Sequence, residues 1–302
     1  MNARDIVIAH PVRTPIGAFG GSLKEVPAVQ LGAAVVRETL RRGGLDAKAL
    51  SSVVMGNVVQ AGNKMNPARQ AAIGGGVPVS VPALTVNRVC GSGAQAIVSA
   101  AQEIALGLGD VAVAGGMENM DRAPYLLESG RWGSRMGNAQ VHDSMLRDGL
   151  VDAFSNEHSG WHTEDLVSKA ELTRAAQDEW AAPSQQRFAA AQERGVFDAE
   201  LVAVEIAGRK GAVQFARDEQ PRPDTTIETL AKLRPAFRPD GTITAGNAPG
   251  LNSGAAAMIV AGRDYAEAHG IEASARLVSF GIAAVRARHV RSRSRARRAD
   301  RA

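Results

Sequence analysis

Val81–Gly93, VPALTVNRVCGSG, contains the only cysteine of this 302-residue chain and decides how the rest is read. A β-rich apolar run leads into Cys90, a tight glycine turn follows, and a small-residue helix pattern covers 93–108. Such a strand–turn–helix puts the thiol where backbone N–H groups of a helix start converge. The positive end of the helix dipole there favours thiolate over thiol. A small buried cysteine packed in the turn would carry the same local pattern. The stretch alone therefore leaves nucleophile and packing residue both open.

The helix adds a constraint. Ile97, Ala100, Ala101, Ile104, Ala105 and Leu108 recur at i, i+3, i+4, i+7 spacing, and Glu103 is almost the sole charge. That pattern predicts a helix buried between layers, with Cys90 at the base of a deep site. Outward from it lie a strand in DIVIAH (5–10) and a helix over 28–42 ended by Gly43 and Gly44. A strand in SSVVMGNVV (51–59), a short helix within 61–76 and a strand in DVAVAGG (110–116) follow. The alternation predicts α/β layers around a mostly parallel sheet. Residues 121–249 are more polar and hold Trp132, Trp161 and Trp180. Helix patterns there cover 164–181, opened by Thr163, and 184–194, stopped by Gly195; a strand at 200–206 and a helix near 225–233 follow. This segment reads as an insertion over the core. A strand at 255–260, a helix at 262–270 and a strand at 275–281 resume the alternation.

Composition narrows the class. The chain is 45% hydrophobic and 22% charged, but only 4% aromatic with 32 glycines. Its core is therefore built from Ala, Val, Leu and Ile. One cysteine excludes an internal disulfide framework, and no apolar run approaches the roughly 20 residues of a membrane span. A cytoplasmic protein is expected. From Arg286 the chain reads RARHVRSRSRARRADRA; without those eight arginines and one aspartate the formal net charge changes from +4 to −3. The body is mildly acidic, and the basic balance belongs to the tail. No phosphate-loop Lys-Ser/Thr follows GAFGGSL or AIGGG, and the six histidines never pair with cysteine at zinc spacing, so no metal site is expected.

At NRVCGSG the chain resembles the nucleophile motif of thiolases, the acetyl-CoA C-acetyltransferase and 3-ketoacyl-CoA thiolase family. RTPIGAFGGSL (13–23), GNVVQAG (56–62), NPARQAA (66–72), AGGMENM (114–120), SQQRFAAAQERGVFDAE (184–200), LAKLRPAF (230–237) and GTITAGNAPGLNSGAAA (241–257) resemble further thiolase segments in thiolase order. The resemblance implies a layered α-β-α-β-α thiolase fold, with its N-terminal half complete and its C-terminal half mostly missing. It divides the chain into an N-terminal domain (1–120 plus 250–271), a CoA-binding loop domain (121–249), the start of a C-terminal domain (272–285) and the tail (286–302). It implies acyl transfer between CoA thioesters through an acyl-Cys90 intermediate, the N–H of Cys90 serving half of an oxyanion hole. Arg222 would lie near the nucleotide end of CoA and Thr229 near the same ligand. Ala245 and Gly246 would meet the pantetheine arm, and His158 the thioester end. Pro249 stands where the family has a serine. CoA and acyl-CoA are substrates, and no further cofactor is implied. Intact family members assemble as homo-oligomers.

The resemblance stops near Val285, about a hundred residues before thiolases end. The family's Gly-His-Pro histidine, which deprotonates the nucleophile, has no counterpart here, nor has its second cysteine. A shift of reading frame near Val285, or truncation, is the expected origin of the abrupt Arg-rich composition, with a genuine disordered basic tail as the alternative; sequencing the gene decides between them. Two other readings stand beside a thiolase. An inactive CoA-binding or assembly partner would be separated by CoA titration. A nucleic-acid binder acting through the basic tail would show steeply salt-dependent binding.

Overall fold

The computed structural model describes residues 4–208 and 211–283. The Arg-rich stretch from 286, His289 included, lies outside the described residues. In chain order the strands are β1 (Ile6–Arg13), β2 (Gly17–Ala18), β3 (Ser52–Gly56), β4 (Ala83–Val86), β5 (Val111–Asn119), β6 (Tyr125–Leu126), β7 (His142–Asp143), β8 (Val204–Ile206), β9 (Val213–Phe215), β10 (Asn252–Gly262) and β11 (Ala273–Arg276). The α-helices are α1 (Ala28–Arg42), α2 (Pro67–Gly74), α3 (Ser92–Ala105), α4 (Ser159–Lys169), α5 (Arg174–Glu193), α6 (Ile227–Ala231) and α7 (Arg263–Ala268). One seven-stranded sheet runs β11-β1-β10-β5-β3-β4, with β2 beside β10.

Only β3 with β4 and β3 with β5 pair in parallel; β10 is antiparallel to β5, β1 and β2, and β1 to β11. The expected mostly parallel sheet is thus corrected to a mixed one. The reason lies in the excursion between β5 and β10. It leaves and re-enters at the same end of the sheet, where Asn119 faces Ser253. A return at the same end makes an antiparallel neighbour however long the connection, whereas a parallel one needs a crossover to the far end. Alternating strand and helix patterns carry no record of strand direction.

Each face of the sheet packs its own helices. Leu31, Val35, Val36 and Leu40 of α1, with Ala68, Ala71 and Ala72 of α2, meet Val53, Met55, Val113 and Ile259. On the opposite face Ala96, Ala100, Ala101 and Ile104 of α3 meet Val54, Ala112, Ala114 and Val260. Alanines on both sides let α3 approach the strands closely. Ile104 is the largest α3 side chain in this layer and is fully buried. Ile104→Ala is expected to lower unfolding free energy by about 2–5 kcal/mol. Urea titration should show an earlier midpoint at unchanged slope; a shift below about 1 kcal/mol would mean the layer collapses onto the cavity at little cost.

Several expectations need revision. α3 is not buried all round: Ala94, Gln102 and Ala105 are exposed, and Leu106 and Leu108, past its end, are 67% and 71% exposed. Small uncharged residues mark a face suited to close contact without deciding whether anything covers it. The expected helices 164–181 and 184–194 are instead α4, which starts at Ser159, and an unbroken α5 that runs through Pro183. His158 accepts the first-turn N–H of Gly160 and so opens α4 upstream of Thr163. β11 ends at Arg276, short of the expected 281, and is an edge strand with every residue exposed.

Candidate active site

The site begins in the five residues between β4 and α3. Val89 has φ 48°, the left-handed region that a β-branched residue rarely occupies. The surroundings hold it there from both sides. Its N–H donates to Asn87 Oδ1 at 2.9 Å, and its carbonyl accepts from Ser92 Oγ at 2.6 Å and from the Ser92 N–H at 3.0 Å. Ser92 Oγ also accepts the Arg88 N–H at 2.8 Å. Backbone strain persists only where neighbours over-determine it, and it concentrates at functional turns. The thiol of the next residue, Cys90, is exposed. The expectation of a thiol at the base of a deep site is corrected accordingly: residues 87–90 are all exposed.

A glycine at the end of β3 lets this turn come close to the strand ends. A Cβ on Gly56, the last residue of β3, would lie 2.7 Å from Ser92 Cβ and 2.8 Å from the Gly93 nitrogen. One on Gly116 of β5 would lie 3.5 Å from Gly93 Cα. GNVVQAG, AGGMENM and CGSG thus meet at one point, the carboxyl ends of the parallel strands β3, β4 and β5. Open α/β sheets bind ligands at such ends.

Cys90 lines a cavity of about 410 Å³ walled by β3, β5 and β10 residues and by Gly149 and Leu150. Among the described residues around it, only Arg13, Glu118 and Cys90 carry an ionisable side chain. Arg13 is bound to Glu200 at 2.6 Å and to Asp218 at 2.8 Å. Burial pushes the Glu118 carboxyl above its ordinary range, opposed by hydrogen bonds from the Val58 and Val59 N–H groups and the Asn57 amide. The cavity offers a free thiol and a fixed polar wall.

A second cavity, about 230 Å³, gathers Arg222, Thr229, Ala245 and Gly246. Four of the five residues assigned to CoA by resemblance therefore share one hollow. Buried carboxylates build it. Glu164 accepts the Thr242 and Ile243 N–H groups at 3.0 and 2.8 Å, and Asp178 accepts Asn247 Nδ2 at 2.9 Å. These bonds pin the loop that carries Ala245 and Gly246. The Thr229 hydroxyl serves the capping box of α6 with Thr226. His158 lines neither cavity. Its Nδ1 caps α4, its ring stacks on Phe237 at 4.8 Å, and burial lowers its pKa.

A third hollow of about 460 Å³ lies between the two. It shares Arg13 and Ile16 with the Cys90 cavity and Gln185 and Gln220 with the Arg222 cavity. The three hollows thus adjoin through shared walls, with Cys90 on the first and Arg222 on the last. Gln185, Gln220, Arg13 and Glu118 escape the reading from residue types. Arg13, Glu118 and Gln185 sit in segments of thiolase likeness and Gln220 outside them, and only the fold places all four on the walls of these adjoining hollows.

Residues 6–264 match the family model of the thiolase N-terminal domain. The chain is 50% identical over 281 residues to a probable acetyl-CoA acyltransferase of Staphylococcus epidermidis, covering 93% of this chain and 71% of the relative. It is 50% identical over 283 residues to an acetyl-CoA acetyltransferase of Pseudomonas aeruginosa, covering 93% and 72%. The crystal structure of the Bacillus anthracis acetyl-CoA acetyltransferase superposes with a TM-score of 0.88 at 42% identity, over 91% of this chain and 70% of that one. With its family model, its relatives and its fold in agreement, the chain belongs to the thiolase family, alongside acetyl-CoA acyltransferases.

Proposed function

We propose that Cys90 accepts an acyl group from an acyl-CoA thioester. The observation that carries this reading is the over-determined Val89–Cys90 turn opening on a series of hollows that ends at Arg222. A CoA thioester is long, with an acyl thioester at one end and phosphates at the other. It suits an exposed thiol joined by a groove to an exposed arginine.

In the reaction, Cys90 as thiolate attacks the thioester carbonyl. The new S–C bond forms, the carbonyl π electrons move to oxygen, and collapse of the tetrahedral species expels CoA as its thiolate. The oxyanion is received by N–H groups at the start of α3, that of Cys90 among them, where positioned dipoles stabilise charge best. Arg222 meets phosphate oxygens, and the backbone at Ala245 and Gly246 meets the pantetheine arm. Claisen condensation to acetoacetyl-CoA, or thiolysis of a 3-ketoacyl-CoA, would then proceed from the acyl-enzyme.

Mass spectrometry of the chain mixed with acetyl-CoA tests the reading. One acetyl group is expected, mapped by proteolysis to Cys90. Acetyl-CoA should react faster than a short acetyl thioester without the nucleotide, and Arg222→Ala should narrow that preference by about tenfold, the effect of losing one charge-assisted contact. Acetylation elsewhere, or none in Cys90 when the chain is folded, would overturn it.

A further inference from the structure

We infer that Asn87 and Glu118 are positioning residues that together aim Cys90, a proposal that rests on the reading of Cys90 as nucleophile. The path between them is continuous. Glu118 Oε2 accepts the Val58 N–H at 2.8 Å and the Val59 N–H at 3.4 Å, and Oε1 accepts Asn57 Nδ2 at 2.8 Å. The Asn57 N–H in turn donates to the Val86 carbonyl at the end of β4, at 3.1 Å. One carboxylate thereby clamps the turn that leaves β3 and ties it to the strand leading into Cys90.

That clamped turn presents the Val58 carbonyl to Asn87 Nδ2 at 3.3 Å. The other end of the same amide, Oδ1, takes the Val89 N–H at 2.9 Å. Asn87 thus spans from the Glu118-fixed turn to the residue whose left-handed backbone sets the direction of Cys90. Ser92 holds the carbonyl side of Val89, so the amide of Asn87 is what holds the N–H side. Aspartate or serine could make the short bond to Val89, but asparagine supplies an acceptor for Val89 and a donor for Val58 without adding charge beside a thiolate. Neither residue needs to touch substrate. Their effect is to keep the sulfur on the line of approach to the thioester carbonyl, where a displacement of about 1 Å costs on the order of 100-fold in rate.

The test compares Asn87→Ala, Asn87→Ser and Glu118→Gln with the unaltered chain in two reactions. Single-turnover acetylation by acetyl-CoA requires an aimed thiol, whereas alkylation by iodoacetamide requires only an accessible one. Asn87→Ala is expected to slow acetylation by about tenfold to 100-fold while alkylation stays within about twofold. Asn87→Ser keeps an acceptor for the Val89 N–H and should recover part of the rate. Glu118→Gln, which loses one acceptor at the turn, should fall between. Asn87 is exposed, so its variants should retain the unfolding midpoint; if Asn87→Ala does not, Asn87→Ser against the unaltered chain decides. Equal acetylation rates in the unaltered chain and the Asn87 variants overturn the relay alone. So does a parallel fall in alkylation, which would mean the thiol had merely been covered. No acetylation of the unaltered chain overturns the reading of Cys90, and the relay with it.

Discussion

A polypeptide of these 302 residues is expected to load one acetyl group onto Cys90 and then to turn over about 10²–10⁴-fold more slowly than its full-length relatives, the range that a positioned general acid–base contributes. The expectation comes from the walls of the cavity. Acyl transfer to a thiol is helped by a base that takes its proton, and condensation needs a second proton transfer at the α-carbon of the incoming acetyl group. Among the described residues lining the hollow there is no histidine or lysine. Arg13 is held by two carboxylates and is always charged. The Glu118 carboxylate already accepts three hydrogen bonds from the 57–59 turn, so removing a proton from substrate would mean abandoning the contacts that shape the site. Release of CoA followed in time should show a burst near one equivalent and then a slow phase. Added imidazole should accelerate the slow phase by acting as an external base. A linear trace without a burst, at the rate of the Pseudomonas aeruginosa relative measured alongside, would refute this.

Gly56→Ala is expected to do the most damage to fold and site together. The added methyl would sit 2.7 Å from Ser92 Cβ and carbonyl carbon and 2.8 Å from the Gly93 nitrogen, and two of those three atoms are backbone. A flexible side chain could swing aside; the first turn of α3 cannot do so without moving Cys90. Overpacking of this kind destabilises by about 1–3 kcal/mol. Because the strain falls on the turn, acetylation should drop by about 100-fold, beyond what the stability loss explains. Gly93→Ala supplies the control, since a Cβ there meets nothing within 4 Å. It should leave the unfolding midpoint unchanged or raise it, because alanine loses less backbone entropy than glycine in a helix. Denaturation midpoints of both variants, with their acetylation rates, check the pair. Equal midpoints for Gly56→Ala and the unaltered chain would show that α3 can retreat from β3 freely.

Much of the fold was legible because periodicity and punctuation agree over long stretches. α1 is bounded by Pro27 and by Gly43 and Gly44, and its buried Leu31, Val35 and Val36 follow helical spacing, so it is recovered residue for residue. The α4–α5 region failed because its signals are weak or misleading. Glu164 resembles a first-turn acid beside a Thr163 cap, yet it is buried mid-helix to receive the N–H groups of Thr242 and Ile243. Pro183 reads as a break, yet a helix already nucleated on either side tolerates it. For Glu164 the deciding partners lie far along the chain, where local spacing carries no information.

The sequence by itself determined the chemistry that is present: one thiol, set between a strand and a helix by NRVCGSG, and the ordered segments that place the chain among thiolases. Local backbone preference and the scarcity of cysteine suffice for that. Tertiary structure alone decided three further matters. It left Cys90 exposed, in a turn whose residues 87–90 are all exposed. It made the sheet mixed, because β10 returns where β5 ends. It assembled Glu118, Asn57, Asn87 and Val89 into one path, because the ends of β3, β4 and β5 converge on a turn that Gly56 lets approach more closely than a Cβ there would allow. The motif that holds Cys90 is local in the chain, while the hydrogen bonds around its turn are shared among strands and could be read only from the folded protein.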